Sequence, residues 1–248
     1  SSFLSEFFAS TQAVANDPTS TTARQAMLSK GQVLATRMNS FDNVLSGMGQ
    51  DVNQQLRDLT SQVTTYSQQI AGINSRIMAA QTSGDTSTTN ELLDQRDQLV
   101  GEINKLVTVT VVEQGVSGYS LYIGSGQPLV VGNQSNTLAM ATDPADPSKL
   151  APVIKTGNYT ETVAASQIVG GEIGGLLAFR DEVLVPTQRE LGTLAYALAT
   201  EFIITHAAGY GLDAVSGRDF FTTPTLRAPA ANTSNTGNGA LSLTMTNV

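Results

Sequence analysis

The chain has no cysteine, no tryptophan and a single histidine, and only 14% of its 248 residues are charged. Without cysteine there can be no disulfide scaffold, zinc-thiolate site, iron-sulfur cluster or thiol nucleophile, and the redox compartment is left open. His206 is the one imidazole available for acid-base chemistry. The charge that exists is acidic: 21 carboxylates against 13 cations give a net charge of −8. The positive field that nucleic acid or an anionic bilayer requires is therefore missing, and neither is expected as a partner. No basic segment followed by an apolar one opens the sequence. The longest apolar stretch, near Leu191 to Ile204, is interrupted by Thr193, Thr200 and Glu201. Neither a cleaved signal peptide nor a membrane span is expected.

What fills the chain is uncharged polarity. Thr (30), Ser (22), Gln (17) and Asn (14) together make 83 residues, a third of the total. Such a surface hydrogen-bonds with little charge repulsion and suits packing beside copies of itself, although a plain secreted domain shares the composition. At 26.0 kDa a folded chain buries about 70% of its unfolded surface, enough for one to three domains.

Periodicity divides the chain into helical and strand regions. Phe3, Leu4, Phe7, Phe8 and Val14 predict an opening helix that stops before Asn16 to Thr19, where Asp17 reads as the cap and Pro18 as the first position of the next helix. From Met27 to Ile77 apolar residues follow three-four spacing, with Gly31 filling one gap and a four-four stutter at Val52. A continuous helix from about Ser20 to Ala80 would be a rod roughly 90 Å long; Gly47 and Gly49 beside the stutter leave a break as the alternative. After a loop at Thr82 to Thr89, Thr88 and Glu91 form a capping box for a returning helix, Asn90 to about Leu106. A period of two then predicts strands at 107–113, 119–123 and 128–132, with Gly115, Gly118, Gly124 and Gly126 as turns, and weaker strands near 137–141 and 152–156 around the loop DPADPSK. Helical spacing returns from Gly174 to His206 through Leu177, Leu184, Leu191, Leu194, Leu198 and Phe202, with Pro186 marking a kink or restart. A tail of Pro, Asn, Thr, Ser and Gly leads to LSLTMTNV, which reads as the first strand of something further. The whole reads as an excerpt cut at both ends.

Catalytic constellations are not expected. His206 sits where a helix C-terminus favours a cation and has no evident nucleophile and orienter. Asp94 and Asp97, three apart with Arg96 between them, read as a structural network rather than a glycosidase pair. GVSG and GSG do not make a dinucleotide turn, and there is no phosphate loop. The acidic loops at 85–91 and 213–219 lack the alternating oxygen pattern of a calcium hand. No cofactor and no metal are expected. The distinctive feature is polar: in NELLDQRD, Asn90 to Asp97, and again at Arg180, rare arginines are placed to reach carboxylates or backbone carbonyls in bidentate fashion.

Several ordered motifs carry a family resemblance: Phe7 and Phe8; NDPTSTTARQ with Pro18 and Arg24; NELLDQRDQLV with Asn90, Leu92, Leu93, Asp94, Arg96 and Asp97; GGEIGGLLAFRDEVLVP with Gly174, Gly175, Arg180 and Asp181; and His206, Phe220 and Phe221. Together they span about Phe3 to Phe221, and in them the chain resembles the flagellar hook-associated proteins of the hook-filament junction. It departs from the family's usual pattern at Ile203 and Ile204. The resemblance implies a structural, non-enzymatic, extracellular component, exported without a cleaved signal and assembled as a ring between hook and filament. Its implied partners are the hook protein, the second junction protein, copies of itself and, for the intact protein, an export chaperone. The isolated fragment, without the family's terminal coiled-coil segments, is expected to be a monomer. The reading predicts an α+β chain. A helical rod domain takes 1–106 with 174–208, a β-rich excursion takes 107–173, and 209–248 is a linker and the start of a further β domain. Another axial flagellar protein, or an unrelated adhesin or fibre module, stays as the alternative.

Overall fold

The computed structural model describes residues 2–113, 119–143, 146–147, 149–212, 214–222 and 244–245. The turns expected at Gly115 and Gly118, Asp213 and the tail from 223 to 243 lie outside the described residues. The fold is α+β: among the described residues, five α-helices carry two antiparallel meanders inserted between the third and fourth helices. The described residues fall into two packing units, one built from the first 48 residues and those from Leu184 onward, the other from Gly49–Val183.

In the first unit, α1 (Ser2–Asn16) buries Phe7 completely and half-buries Phe3, Leu4 and Val14. The chain turns at Asp17, whose Oδ1 accepts hydrogen bonds from the Thr19 amide at 3.1 Å and hydroxyl at 2.8 Å. Because that carboxylate is consumed in the turn, Asp17 does not cap the next helix and Pro18 is not its first residue. The cap is Ser20, whose Oγ accepts from the Ala23 amide at 3.2 Å, and α2 runs over Thr21–Ser83. Against Met27, Leu34, Ala35 and Met38 of α2 pack Ala195 and Ala199 of α5 (Val185–Ala207). Of the expected seam on this helix, Leu191, Leu198 and Phe202 pack against this core and only Leu194 departs, 49% exposed while Ala195 and Ala199 are fully buried. Small residues there permit close approach of the helices.

Helix α2 is a single α-helix of 63 residues, and Gly47 and Gly49 do not break it. Each glycine costs only about 1 kcal/mol relative to alanine, too little to interrupt a helix whose stripe is buried at Met38 before them and again from Val52 after them. The stripe is unevenly used: Phe41 and Met48 are 47% and 45% exposed, whereas Val52, Leu56, Val63 and Ile70 are buried across the stutter.

In the second unit α3 (Thr86–Leu106) follows a tight turn at Gly84, whose φ of 73° favours glycine. Its cap is Asp85, not Thr88: Asp85 Oδ1 accepts from the Thr88 amide at 3.0 Å and Oδ2 from the Thr88 hydroxyl at 2.7 Å, so the helix starts one turn earlier than the capping-box reading. The sheets follow. Strands β1 (Val109–Glu113), β2 (Tyr119–Ile123), β3 (Gln127–Val131) and β4 (Gln134–Ser135) form one meander; β5 (Thr137–Thr142), β6 (Leu150–Thr156) and β7 (Tyr159–Thr162) form the other. β1 starts two residues later than the alternation suggested because Val107 still donates to Ile103 O of α3 at 2.8 Å. Leu121, Ile123, Leu129, Leu138 and Ile154 of the sheets meet Leu56, Val63, Ile70 and Ile103 of the helices in one core. A 3₁₀ turn at Ala165–Gln167 leads to α4 (Gly171–Ala178). The restart expected at Pro186 is a six-residue π-helix, Phe179–Leu184, directly before α5, with Pro186 in the first turn of α5. The proline lacks the N–H an α-ladder needs, and the wider turn changes helical phase there. β8 (Phe221–Thr222) pairs with β9 (Thr244–Met245), which lies within the segment expected to begin a further β region.

Candidate assembly site

The motif residues gather into three clusters. The first is aromatic and belongs to the first unit. Phe7 is fully buried among Phe202, Phe220 and Phe221, with ring centroids at 5.1, 6.0 and 5.8 Å, while its neighbour Phe8 is 50% exposed. His206 closes the cluster, stacked on Phe202 at 6.3 Å and edge-on to Phe220 at 5.8 Å. Its Nδ1 lies 2.6 Å from Arg218 O, and since a carbonyl only accepts, Nδ1 carries the proton. Gly217 lies under the same helix end: a Cβ there would stand 2.0 Å from His206 O. His206 therefore ties Arg218, with Gly217 beside it, to the end of α5, in keeping with its place at a helix end. Pro18 and Arg24 lie exposed at the turn into α2, away from this cluster's core.

The second cluster surrounds Arg96. On α3, Leu92, Arg96, Val100, Ile103 and Leu106 are buried, and Asn90, Asp94 and Asp97 face outward. Leu93 is half-buried and packs beside Ile73, Ile77 and Leu92. The Arg96 guanidinium lies over the Tyr119 ring, 3.4 Å from its centroid. Its Nη1 makes a long 3.5 Å hydrogen bond to Asn74 Oδ1, and Asp97 Oδ1 is 3.9 Å from Nε, beyond hydrogen-bond range. The cation is thus stabilised chiefly by an aromatic face, not by the bidentate carboxylate or backbone-carbonyl contacts the sequence suggested. Asn74, fully buried on α2, donates to Tyr119 O at 2.9 Å and Gly132 O at 2.6 Å. Burial is the main reason the Tyr119 phenol is held above its ordinary value, with the Asp97 charge adding to it.

The third cluster centres on Arg180, 6% exposed in the π-helix. Its Nε and Nη2 donate to the two carboxylate oxygens of Asp181, each at 2.9 Å, and Nη1 donates to Leu150 O at 2.5 Å. One guanidinium so anchors β6 to the helix. The glycines preceding it allow α4 to cross the end of α3: a Cβ on Gly171 would stand 2.4 Å from Leu106 C, and one on Gly174 2.9 Å from Val169 C. Gly175, by contrast, faces open space.

Sequence reasoning passed over Asn74, Tyr119 and Thr64. Thr64 Oγ1 donates to Leu138 O at 2.9 Å and accepts from Leu138 N at 3.0 Å, fixing β5 on α2. The available signal was a lone asparagine or threonine on the buried side of an apolar stripe. Among the described residues no three His, Cys, Asp or Glu side chains converge on a cation site, and no helix is long and apolar enough to cross a membrane.

These clusters lie within one continuous likeness: residues 1–221 match the flagellar hook-associated protein FlgK helical domain. The chain belongs to the FlgK family. Flagellar hook-associated protein 1 of Salmonella typhimurium strain LT2 is 36% identical over 220 residues, covering 88% of this chain and 40% of that protein. The protein of the same name from Escherichia coli strain K12 is 33% identical over 246 residues, covering 98% and 44%. The solved structure of the flagellar hook junction protein FlgK from Burkholderia pseudomallei matches with a TM-score of 0.84 at 36% identity, over 90% of this chain and 40% of that one. The chain thus spans about two fifths of the length of these FlgK relatives. Its α+β architecture of long helices followed by antiparallel sheets is that of FlgK.

Proposed function

We propose that this chain is the helical core of a hook-filament junction protein, which adapts hook to filament by assembling as a ring at the distal end of the hook. The observation that carries the reading is the likeness to the FlgK helical domain along residues 1–221, with the FlgK fold reproduced. Its role is mechanical and needs no catalysis. The partners are further copies of the chain, the hook protein and the second junction protein. The intact protein is held by an export chaperone and leaves the cell without a cleaved signal, so its place is extracellular. The rod comprises 1–106 with 174–208, 107–173 forms a β excursion from it, and 209–248 leads into an outer domain. Within this division the motif residues act as assembly determinants: the Phe7 and His206 cluster, the Arg96 stack and the Arg180 clamp keep the surfaces that meet neighbours in fixed shape. Gold labelling of the tagged intact protein on isolated flagella tests the reading. A band at the boundary between hook and filament is expected; label along the whole filament, or on other surface fibres, would overturn it.

A further inference from the structure

The second unit carries a groove and a protrusion whose chemistries match. The groove, about 480 Å³, lies between α2 and α3. Its apolar floor is Ile73 and Leu99, and Gly72, with nothing within 4 Å of a Cβ position, leaves a gap in its wall. The remaining lining is glutamine except for Arg76, its only charged residue. Arg76 makes no hydrogen bond or ion pair among the described residues. The protrusion is the β6–β7 hairpin. Gly157, at φ 57°, takes the first central position of a two-residue turn between the paired Thr156 and Tyr159, where a type II′ turn requires glycine. The turn presents Tyr159, at 84% the most exposed large apolar side chain among the described residues, on a strand whose four residues are all exposed.

Spacing and charge pair the two features. Tyr159 and Glu161 lie two apart on one face of β7, roughly 6.7 Å at strand rise. Gly72 and Arg76 lie four apart on one face of α2, about 6 Å at helical rise. A tyrosine ring set over Gly72, against Ile73 and Leu99, brings Glu161 onto Arg76. Glu161, like Arg76, has no partner among the described residues. We infer that the β6–β7 hairpin tip of one copy docks in the α2–α3 groove of a second copy, Tyr159 filling the gap at Gly72 and Glu161 pairing with Arg76. The inference rests on the self-association in the proposed function and deepens it. Because groove and hairpin are different patches, the contact is head-to-tail and each copy keeps one of each free, the kind of contact that generates rings or helical arrays.

The test uses the intact protein in flagellated cells lacking their own copy. A photoreactive benzoylphenylalanine in place of Tyr159 keeps an aromatic ring at the tip and reports its neighbour in isolated hooks. Crosslinking to a second copy within residues 69–76 or 95–99 is expected. Crosslinks elsewhere on the copy, crosslinks to a different axial protein, or none at all, in hooks that carry filaments, overturn the contact while leaving the junction reading standing. In parallel, R76E and E161R are each expected to reduce the fraction of filamented cells at least tenfold, and the double reversal to restore it to within twofold. Singles that assemble normally, or a double no better than the singles, overturn the pairing. Failure of the junction reading itself shows separately, as absence of the protein from the hook-filament boundary.

Discussion

Where α4 crosses the end of α3, neighbouring glycines have opposite sensitivities. Gly171 combines φ 60° with a Cβ position 2.4 Å from Leu106 C, so Gly171→Ala should destabilise the protein by more than about 2 kcal/mol. Gly175 has ordinary helical geometry and open space, and Gly175→Ala should stabilise by roughly 0.5–1 kcal/mol. Urea unfolding measures both, and equal effects would refute the geometry. The adjacent phenylalanines diverge likewise. Phe7→Ala removes a fully buried ring and should cost about 3–5 kcal/mol, whereas Phe8, half in solvent, should cost less than about 1 kcal/mol. At this scale the sequence announced Arg180, because an arginine beside an aspartate inside an apolar helix must find acceptors. It did not announce Asn74, since its role depends on the carbonyls of Tyr119 and Gly132, 45 and 58 residues away in the chain. Nor could the FF pair be divided into buried and exposed members before α5 and β8 were in place.

The helical elements were legible because a three-four apolar stripe over so many turns admits almost no other structure. Their ends were less so, because caps compete. Asp85 and Thr88 both suit an N-terminus, and Asp85 prevails because its carboxylate reaches both the amide and the hydroxyl of Thr88. Those hydrogen bonds, led by the Thr88 hydroxyl, hold the Asp85 carboxyl below its ordinary value of 3.8. A lowered folded value means the contribution is complete above that ordinary value and is lost as pH falls through the folded one. Protection of the amides at the start of α3, taken relative to their intrinsic exchange at each pH, should therefore fall as pH drops below that ordinary value in the parent, and Asp85→Asn should show no such step. A step of equal size in both would contradict the cap. β7 and the short β4 escaped the sequence reading because neither alternates clearly, and their pairing is set by the turns before them. The π-helix escaped it too: Pro186 signalled a disturbance, but its form depends on how Arg180 and Leu184 are packed.

For the molecule as a whole, weak charge and a polar, small-residue surface favour contacts that are individually feeble and act together only when many are held in geometry at once. The isolated chain should then sediment as a monomer near 26 kDa at micromolar concentration, and stable rings of this fragment alone would count against nucleated assembly. Family membership was legible in the order of motifs from Phe7 to Phe221, not in composition, which a secreted adhesin would share. The most direct measurement is deletion of the gene for the intact protein in its source cell, with electron microscopy of the hooks and assay of the medium for filament subunits. Bare hooks, with filament protein lost to the medium, are the predicted result; normal filaments and normal swimming would contradict the account.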